Sequence, residues 1–446
     1  MKQFLIAILI FSGNLVLAQK QDFNFTVQQA IAYAMENNIT LTKSKIDQDI
    51  VAAQIAEVKG RAFPQISASG GFTDNFSLAE QQLPAEVFGG EPGTTIGVAF
   101  GNRYSFTAGT RVEQQLVNFE LFSSIRAAKA LEEIQNLTVL QSTEDLVINV
   151  IQVYIQIQVT TKQVELLKEN YERTNNLIGL SEEKYKEGII KKLDVNQLKV
   201  NRSNLRTQIE DAEYQYGEQK RLLKLYLYIP MEATLNLTEK IEDTESYPLQ
   251  NELNINSNIQ FQQLERQVAL SIIDQKVEQA NYLPKLSAFF NYNYQGNNKE
   301  FSFDAPSYVD QWNGTWGLSA SMNIFDGFSR RKRVVQKQLE TEKLEEDQKL
   351  LKINIEKDYQ DAVQQMQLSQ SQIASQKENM ELAQENYEGI KVSYNEGVAA
   401  LTELLDSEFA LRESQSNYLN ALLQSKVSEL RILKTSGQLS QLIASN

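Results

Sequence analysis

Two periods alternate along this chain. Apolar residues recur at helical spacing from Phe25 to Arg61, at Val27, Ala30, Ile31, Ala34, Met35, Leu41, Ile46, Ile50, Ala53 and Val58, and Asn37-Asn38 marks a break. After Pro64 the period falls to two, with Ile66, Ala68, Gly70 and Phe72 on one face and Ser67, Ser69 and Thr73 on the other. A second alternating run covers Tyr104 to Val112, beyond a polar, Gly/Pro-rich excursion from about Ser77 to Asn102. The two runs predict an antiparallel pair joined by a long loop. Helical spacing resumes after Phe119 and holds to Tyr185, with Val150, Ile157, Val164, Tyr171, Ile178 and Tyr185 spaced seven apart. One apolar position sustained over that many heptads predicts a coiled-coil seam. Tyr185-Lys-Glu-Gly188 then places a glycine where a helix can end on a left-handed residue and reverse. The return helix, from about Leu193 to Leu227, carries Val195, Leu198, Leu205, Ile209, Tyr216 and Leu223 and stops at Ile229-Pro230.

The programme then runs a second time. A helix from about Asn258 to Tyr282 ends at Pro284, and Tyr282-Leu-Pro-Lys-Leu-Ser-Ala288 aligns with Ala62-Phe-Pro-Gln-Ile-Ser-Ala68. A third alternating run has Leu286, Ala288, Phe290, Tyr292 and Tyr294 on one face. The fourth, beyond a loop through Pro306, alternates Trp312, Gly314, Trp316, Leu318, Ala320, Met322 and Ile324 with Asn313, Thr315, Gly317, Ser319, Ser321 and Asn323. Phe325-Asp-Gly-Phe-Ser329 matches Phe119-Glu-Leu-Phe-Ser123, and a second ladder follows: Tyr359, Met366, Ile373, Met380, Tyr387, Tyr394. Every rung, and the tip glycine Gly397, lies 209 residues after its counterpart in the first ladder and Gly188. The chain is therefore read as a tandem duplication. Its parts are a leader at 1–18, a first repeat at 19–230, a hydrophilic connector at 231–257, a second repeat at 258–436 and a tail at 437–446.

Composition narrows what such a chain does. There is no Cys and no His among 446 residues, which removes disulfides, thiolate or imidazole metal sites, Ser-His-Asp triads and Cys-His dyads. No Walker-type Gly-x-x-x-x-Gly-Lys is present, no carboxylate pair forms a convincing acid/base site, and the reading is of a non-enzyme without metal or cofactor. A net charge of −14, with only Lys191-Lys192, Lys220-Arg221 and Arg330-Arg-Lys-Arg333 as basic spots, argues against nucleic acid. Lys2, the apolar stretch Phe4–Phe11 and Val16-Leu-Ala18 before Gln19 predict a cleaved secretory signal, the competing reading being a retained membrane helix. Met366 and Met380 admit a copper-relay reading, but their seam positions favour packing.

The alternating runs suit either a half-buried soluble sheet or strands crossing a bilayer, which need about 9–11 residues each with one apolar and one polar face. Export and the Asn, Thr, Ser and Gly of the polar faces favour the membrane. Four strands cannot close a membrane barrel, because unpaired edges are not tolerated in hydrocarbon. Several chains must then share one, and three would supply twelve strands around a watery lumen. The long helices, at about 68 residues and ~100 Å, would project as a rod. Rods from several chains could form a hollow tube or a solid stalk, and periodicity alone does not choose.

The duplication, the Phe-Pro-x-Ile and Leu-Pro-x-Leu signatures at Pro64 and Pro284, and the two Tyr-x-x-Gly tips together resemble the TolC family of outer membrane efflux and secretion ducts. The resemblance covers essentially all of the mature sequence. It implies a mainly α fold with a membrane β-barrel: tandem long helical hairpins, and four strands per chain in a trimeric twelve-stranded barrel. It further implies a homotrimer in outer membrane lipid with a helical tunnel in the periplasm. That tunnel would meet a periplasmic membrane-fusion adaptor and an inner-membrane efflux transporter. The competing class is an adhesive or structural stalk on the same trimeric barrel. Carried onto matching positions, Gly188, Ile189, Ile190, Gly397, Val398, Ala399 and Ala400 would form adaptor-docking tips. Glu403 and Asp406 would narrow the pore entrance, although a solvated helix face gives the same pattern. Asp194 and Tyr394 would link helices that hold the entrance shut. Ala399 stands where some relatives place a basic gate residue, so the resemblance does not carry that salt bridge over. The second tip is expected to line the aperture and the first to support it.

Overall fold

The computed structural model describes residues 22–241, 252–301 and 309–439. The expected leader lies outside the described residues, as do part of the connector, part of the third-to-fourth strand loop and the end of the tail. The first predicted helix is two, α1 (Val27–Asn37) and α2 (Ile39–Gly60), preceded by a short strand β1 (Asp22–Phe25). Thr26 caps α1 in a capping box, its hydroxyl accepting from Gln29 N and its own N–H donating to Gln29 Oε1. The break falls at Asn38, whose Oδ1 accepts from Thr40 N while its Nδ2 donates to the Tyr226 carbonyl.

The four expected long strands form one sheet. β2 (Gln65–Asp74), β5 (Tyr104–Val117), β7 (Lys285–Asn298) and β8 (Val309–Ser321) lie in the order β2-β5-β7-β8, each antiparallel to its neighbour. The β2–β5 loop is more ordered than its composition predicts, because it holds a hairpin of β3 (Glu80–Pro84) and β4 (Thr95–Ala99). Register brings Phe72 opposite Phe106, Val112 opposite Phe290, and Phe290 opposite Trp316, so the large apolar side chains share one face. That face is bare: Ile66, Phe72, Phe106, Phe290, Trp312 and Leu318 are exposed and Trp316 is 82 % exposed. The other face carries Ser67, Thr107, Asn291, Asn293, Asn313 and Thr315. A soluble sheet buries its apolar face, whereas a membrane sheet turns it outward to lipid. Among the described residues β2 and β8 each have one neighbour in the sheet, which leaves an edge at either side.

The long helices are α3 (Phe119–Lys186, 68 residues) and α6 (Ser329–Asn395, 67 residues), with return helices α4 (Lys192–Leu227) and α7 (Leu401–Thr435). α5 (Ile259–Ala280) repeats α2. No described helix is long and apolar enough to cross a membrane. β6 (Thr234–Leu237), inside the connector, pairs in parallel with β1.

The chain packs as two compact units that cut across the sequence repeats. One takes the described residues of Met1–Ile46, Leu137–Gln262 and Lys349–Asn446, and the other Asp47–Asn136 and Gln263–Gln348. The first holds a core of Val150, Ile151, Tyr154, Ile157, Leu223, Leu227, Leu235 and Leu433. There the Tyr154 hydroxyl donates to the Phe25 carbonyl, and burial raises its pKa to about 12. The second unit holds the four-stranded sheet and a guanidinium clamp after β8. Arg330 donates to Asp326, to the Asn281 carbonyl and to the Asn323 carbonyl, and its guanidinium lies 4.7 Å from the Tyr282 ring centre.

Candidate functional site at the helical tips

Each long helix ends on the glycine its sequence places there. Gly188 has φ +79° and Gly397 φ +80°, the left-handed region in which a Cβ is strained. The bond patterns match too. Gly188 N donates to Tyr185 O and Ile189 N to Lys184 O; Gly397 N donates to Tyr394 O and Val398 N to Ser393 O. These paired bonds satisfy the last carbonyls of α3 and α6 and turn the chain back. No atom lies within 4 Å of a Cβ built on either glycine, so backbone conformation alone demands glycine here.

The turns leave apolar side chains in solvent. Val398 is 81 % exposed, Ile189 and Leu193 are exposed, Ile190 and Ala399 are half-buried, and Ala400 is exposed. Behind them a small core of Leu177, Ile178, Leu198, Tyr387, Tyr394, Leu401, Leu404 and Leu411 joins the two tips.

The gate candidates separate into two groups. Glu403 and Asp406 are both exposed, one turn apart on α7, while Leu401, Leu404, Ser407 and Leu411 on the same helix are buried. Asp194 and Tyr394 are not bonded to each other within the chain. Asp194 Oδ2 accepts from Lys191 N at 3.0 Å and so caps α4, a role its place three residues after Lys191 allows. The Tyr394 hydroxyl lies 3.1 Å from Ser181 Oγ on α3. Equivalent rungs of the two ladders also diverge here, Tyr394 being 4 % exposed and Tyr185 44 %.

Two further groups near the tips were not among the sequence-derived candidates. Lys184 donates to the Tyr394 carbonyl at 3.1 Å and the Asn395 carbonyl at 3.2 Å, and its ammonium lies 4.8 Å from the Tyr394 ring centre. A cation there answers the partial negative charge at the end of α6. Only the packing of α3 against α6 reveals that pairing. Glu408 is buried on α7 between α3 and α4. Its signal was present, since Glu408 falls in phase with Leu401, Leu404 and Leu411, where a seam calls for an apolar residue. Among the described residues no group of His, Cys, Asp or Glu could hold a metal ion.

The profile of the outer membrane efflux protein family matches residues 30–227 and 249–438. The chain belongs to that family. The TolC-family resemblance read from the tips and prolines agrees with this membership. Curated relatives include the probable efflux pump outer membrane protein TtgC of Pseudomonas putida KT2440, 24 % identical over 434 residues, 92 % of this chain and 82 % of the relative. The antibiotic efflux pump outer membrane protein ArpC of Pseudomonas putida matches to the same extent. Among solved structures, VceC of Vibrio cholerae superposes with a TM-score of 0.76 at 13 % identity, covering 92 % of this chain and 96 % of that one. The CmeC channel of Campylobacter jejuni gives 0.72 at 16 % identity, covering 94 % and 88 %. The fold of these outer membrane proteins is thus shared over about nine tenths of this chain.

Proposed function

We propose that this outer membrane efflux protein works as the exit duct of a tripartite pump, three copies sharing one barrel. The observation that carries this reading is the sheet, with a bare apolar face, a polar opposite face and unpaired edges at β2 and β8. Edges left open in hydrocarbon cost several kcal/mol per unsatisfied group, so each must find a strand from another copy. The sequence has no Walker-type Gly-x-x-x-x-Gly-Lys, and the energy for transport comes from the inner-membrane partner.

In this reading the exposed Ile189, Val398 and Ala400 and the half-buried Ile190 and Ala399, around Gly188 and Gly397, meet an adaptor. Glu403 and Asp406 from each copy ring the periplasmic aperture and favour cations. Asp194 and Tyr394 support that aperture, the first by starting α4 and the second by fastening α6 to α3. Substrate enters between the tips and leaves through the barrel. Planar-bilayer recording of detergent-extracted protein tests this. Single-channel steps are expected, larger in Asp406→Ala and with weaker cation preference in Glu403→Gln; no steps in any form, including Asp194→Ala, would overturn the duct.

A further inference from the structure

Glu408 lies within the α7 seam and is 0 % exposed. Its Oε1 is 3.0 Å from Thr174 Oγ1 on α3, and its Oε2 accepts from Asn201 Nδ2 on α4 at 3.3 Å. Thr174 Oγ1 also lies 3.0 Å from the Asn170 carbonyl. A hydroxyl has one proton to give. If Thr174 spends it on Asn170, the contact with Glu408 is satisfied only when Glu408 is protonated and donates to Thr174 Oγ1. If Glu408 is ionised, the hydroxyl must turn away from Asn170. All three contacts are complete together only with the neutral carboxyl.

The surroundings hold unused donors. Arg173 on α3 bonds to Asn170, and its guanidinium lies 5.4 Å from the Tyr387 ring centre on α6. Arg412, one turn beyond Glu408 on α7, lies 5.6 Å from the Phe409 ring centre. Arg173 Nε, Arg412 Nε and the Tyr387 hydroxyl are buried without a hydrogen-bond partner. Beside Tyr387, Glu388 and Lys391 pair with each other at 2.9 Å. On α4, Arg202 next to Asn201 turns away to Asn175. The equivalent position of the first repeat differs: 209 residues before Glu408 stands Lys199, exposed and paired with Glu182 at 2.7 Å. A buried carboxyl costs free energy that an apolar residue avoids, so one tied at this seam position to two neighbouring helices points to a task rather than to packing.

We propose that Glu408 is a proton-controlled latch that holds α7 against α3 and α4 and so sets the aperture lined by Glu403 and Asp406. The proposal rests on the gate reading above. Loss of the proton to water leaves a charge among buried groups. That charge is relieved by turning toward the idle Arg173 and Arg412 donors, or by α7 moving until the carboxylate is hydrated. Either movement loosens the tie to Thr174 and Asn201. Glu403 and Asp406 ride on the exposed face of the same helix and move with it.

The direction with pH follows from burial, which raises the Glu408 pKa against the opposing pull of Thr174, Arg412, Arg173 and Asn201. Hydrated in an open tip, the carboxyl returns to its ordinary value. The closed tip therefore binds the proton more tightly. The latch is fully set below the ordinary value and released as pH rises through the raised one. Each unit between the two values is worth about tenfold in the closed-to-open ratio.

The test uses the full-length protein with a spin label on a cysteine replacing exposed Thr402, read for copy-to-copy distance, beside bilayer conductance, from about pH 4 to pH 8. In the parent, distances widen and conductance rises with pH. Glu408→Gln, neutral at every pH, stays narrow and poorly conducting throughout, and Thr174→Val stays wide with a blunted response. Glu403→Gln and Asp406→Asn keep the pH-dependent widening. A Glu408→Gln protein that widens with pH as the parent does overturns the latch. A parent without conductance steps overturns the duct instead, while the label distances still decide the latch.

Discussion

Burial pushes the Asp326 carboxyl upward, yet the Arg330 N–H at 3.0 Å and its guanidinium at 2.8 Å outweigh it and hold the pKa below the ordinary carboxylate value. Glu408 goes the other way, because its neighbours solvate the charge less well than water does. Opposite shifts carry opposite consequences. A depressed carboxyl stabilises the fold above its unfolded value, and that contribution is lost as pH falls through the folded one. Thermal melts should therefore lose an acid-sensitive component in Asp326→Asn. Arg330→Ala removes the donor from the Asn281 and Asn323 carbonyls as well, at about 0.5–1.5 kcal/mol for each hydrogen bond lost. Its melting temperature should fall at all pH values, whereas Arg330→Lys, lacking the planar fork, should recover only part.

Elements follow the same local rules with different partners. Strand β8 alternates so cleanly that neighbouring residues test its two faces. Trp316 stands on the bare apolar face, and Thr315 beside it faces the polar side, where its hydroxyl accepts from Asn291 Nδ2 at 3.4 Å. A lysine facing lipid costs about 2–4 kcal/mol at the bilayer midplane. Trp316→Lys should therefore fold poorly into lipid vesicles, measured by heat-modifiable migration on gels, while Thr315→Lys should fold and shift ion selectivity. Equal behaviour of the two would dismiss the assignment of faces. Among the helices, Gly188 and Gly397 make nearly identical reversals, yet Tyr394 is fastened by Ser181 and Lys184 while its counterpart Tyr185 is exposed. The duplication kept the backbone device and diverged in what packs against it.

At the scale of the molecule, a single chain presents β2 and β8 as open edges. The protein contains no cysteine, so introduced ones report cleanly. With Ser67→Cys on β2 and Ser319→Cys on β8, a short thiol cross-linker should join copies in a ladder that stops at three. Monomers alone would argue against a shared barrel, and a ladder running past three would change the number of copies.

Much of this was decided by the sequence alone, because the deciding forces act over a few residues. Heptad spacing gave the extent of α3 and α6, two-residue alternation gave all four long strands, and the tip glycines gave both reversals. Each is a matter of backbone sterics or of which side of one element is apolar. Tertiary structure decided what depends on which faces meet. The parallel pairing of β1 with β6 joins residues 212 apart, as Asp22 and Thr234 show. The compact units draw on both repeats, because a helix of one repeat buries its seam against helices of the other. The same physics separates the four gate candidates. Glu403 and Asp406 could be placed one turn apart from spacing, but the actual partners of Asp194 and Tyr394 required the fold. Glu408 shows the limit most plainly: its polar identity and seam position were both readable, and only the packing of α3 and α4 around it shows that its carboxyl is closed off from water.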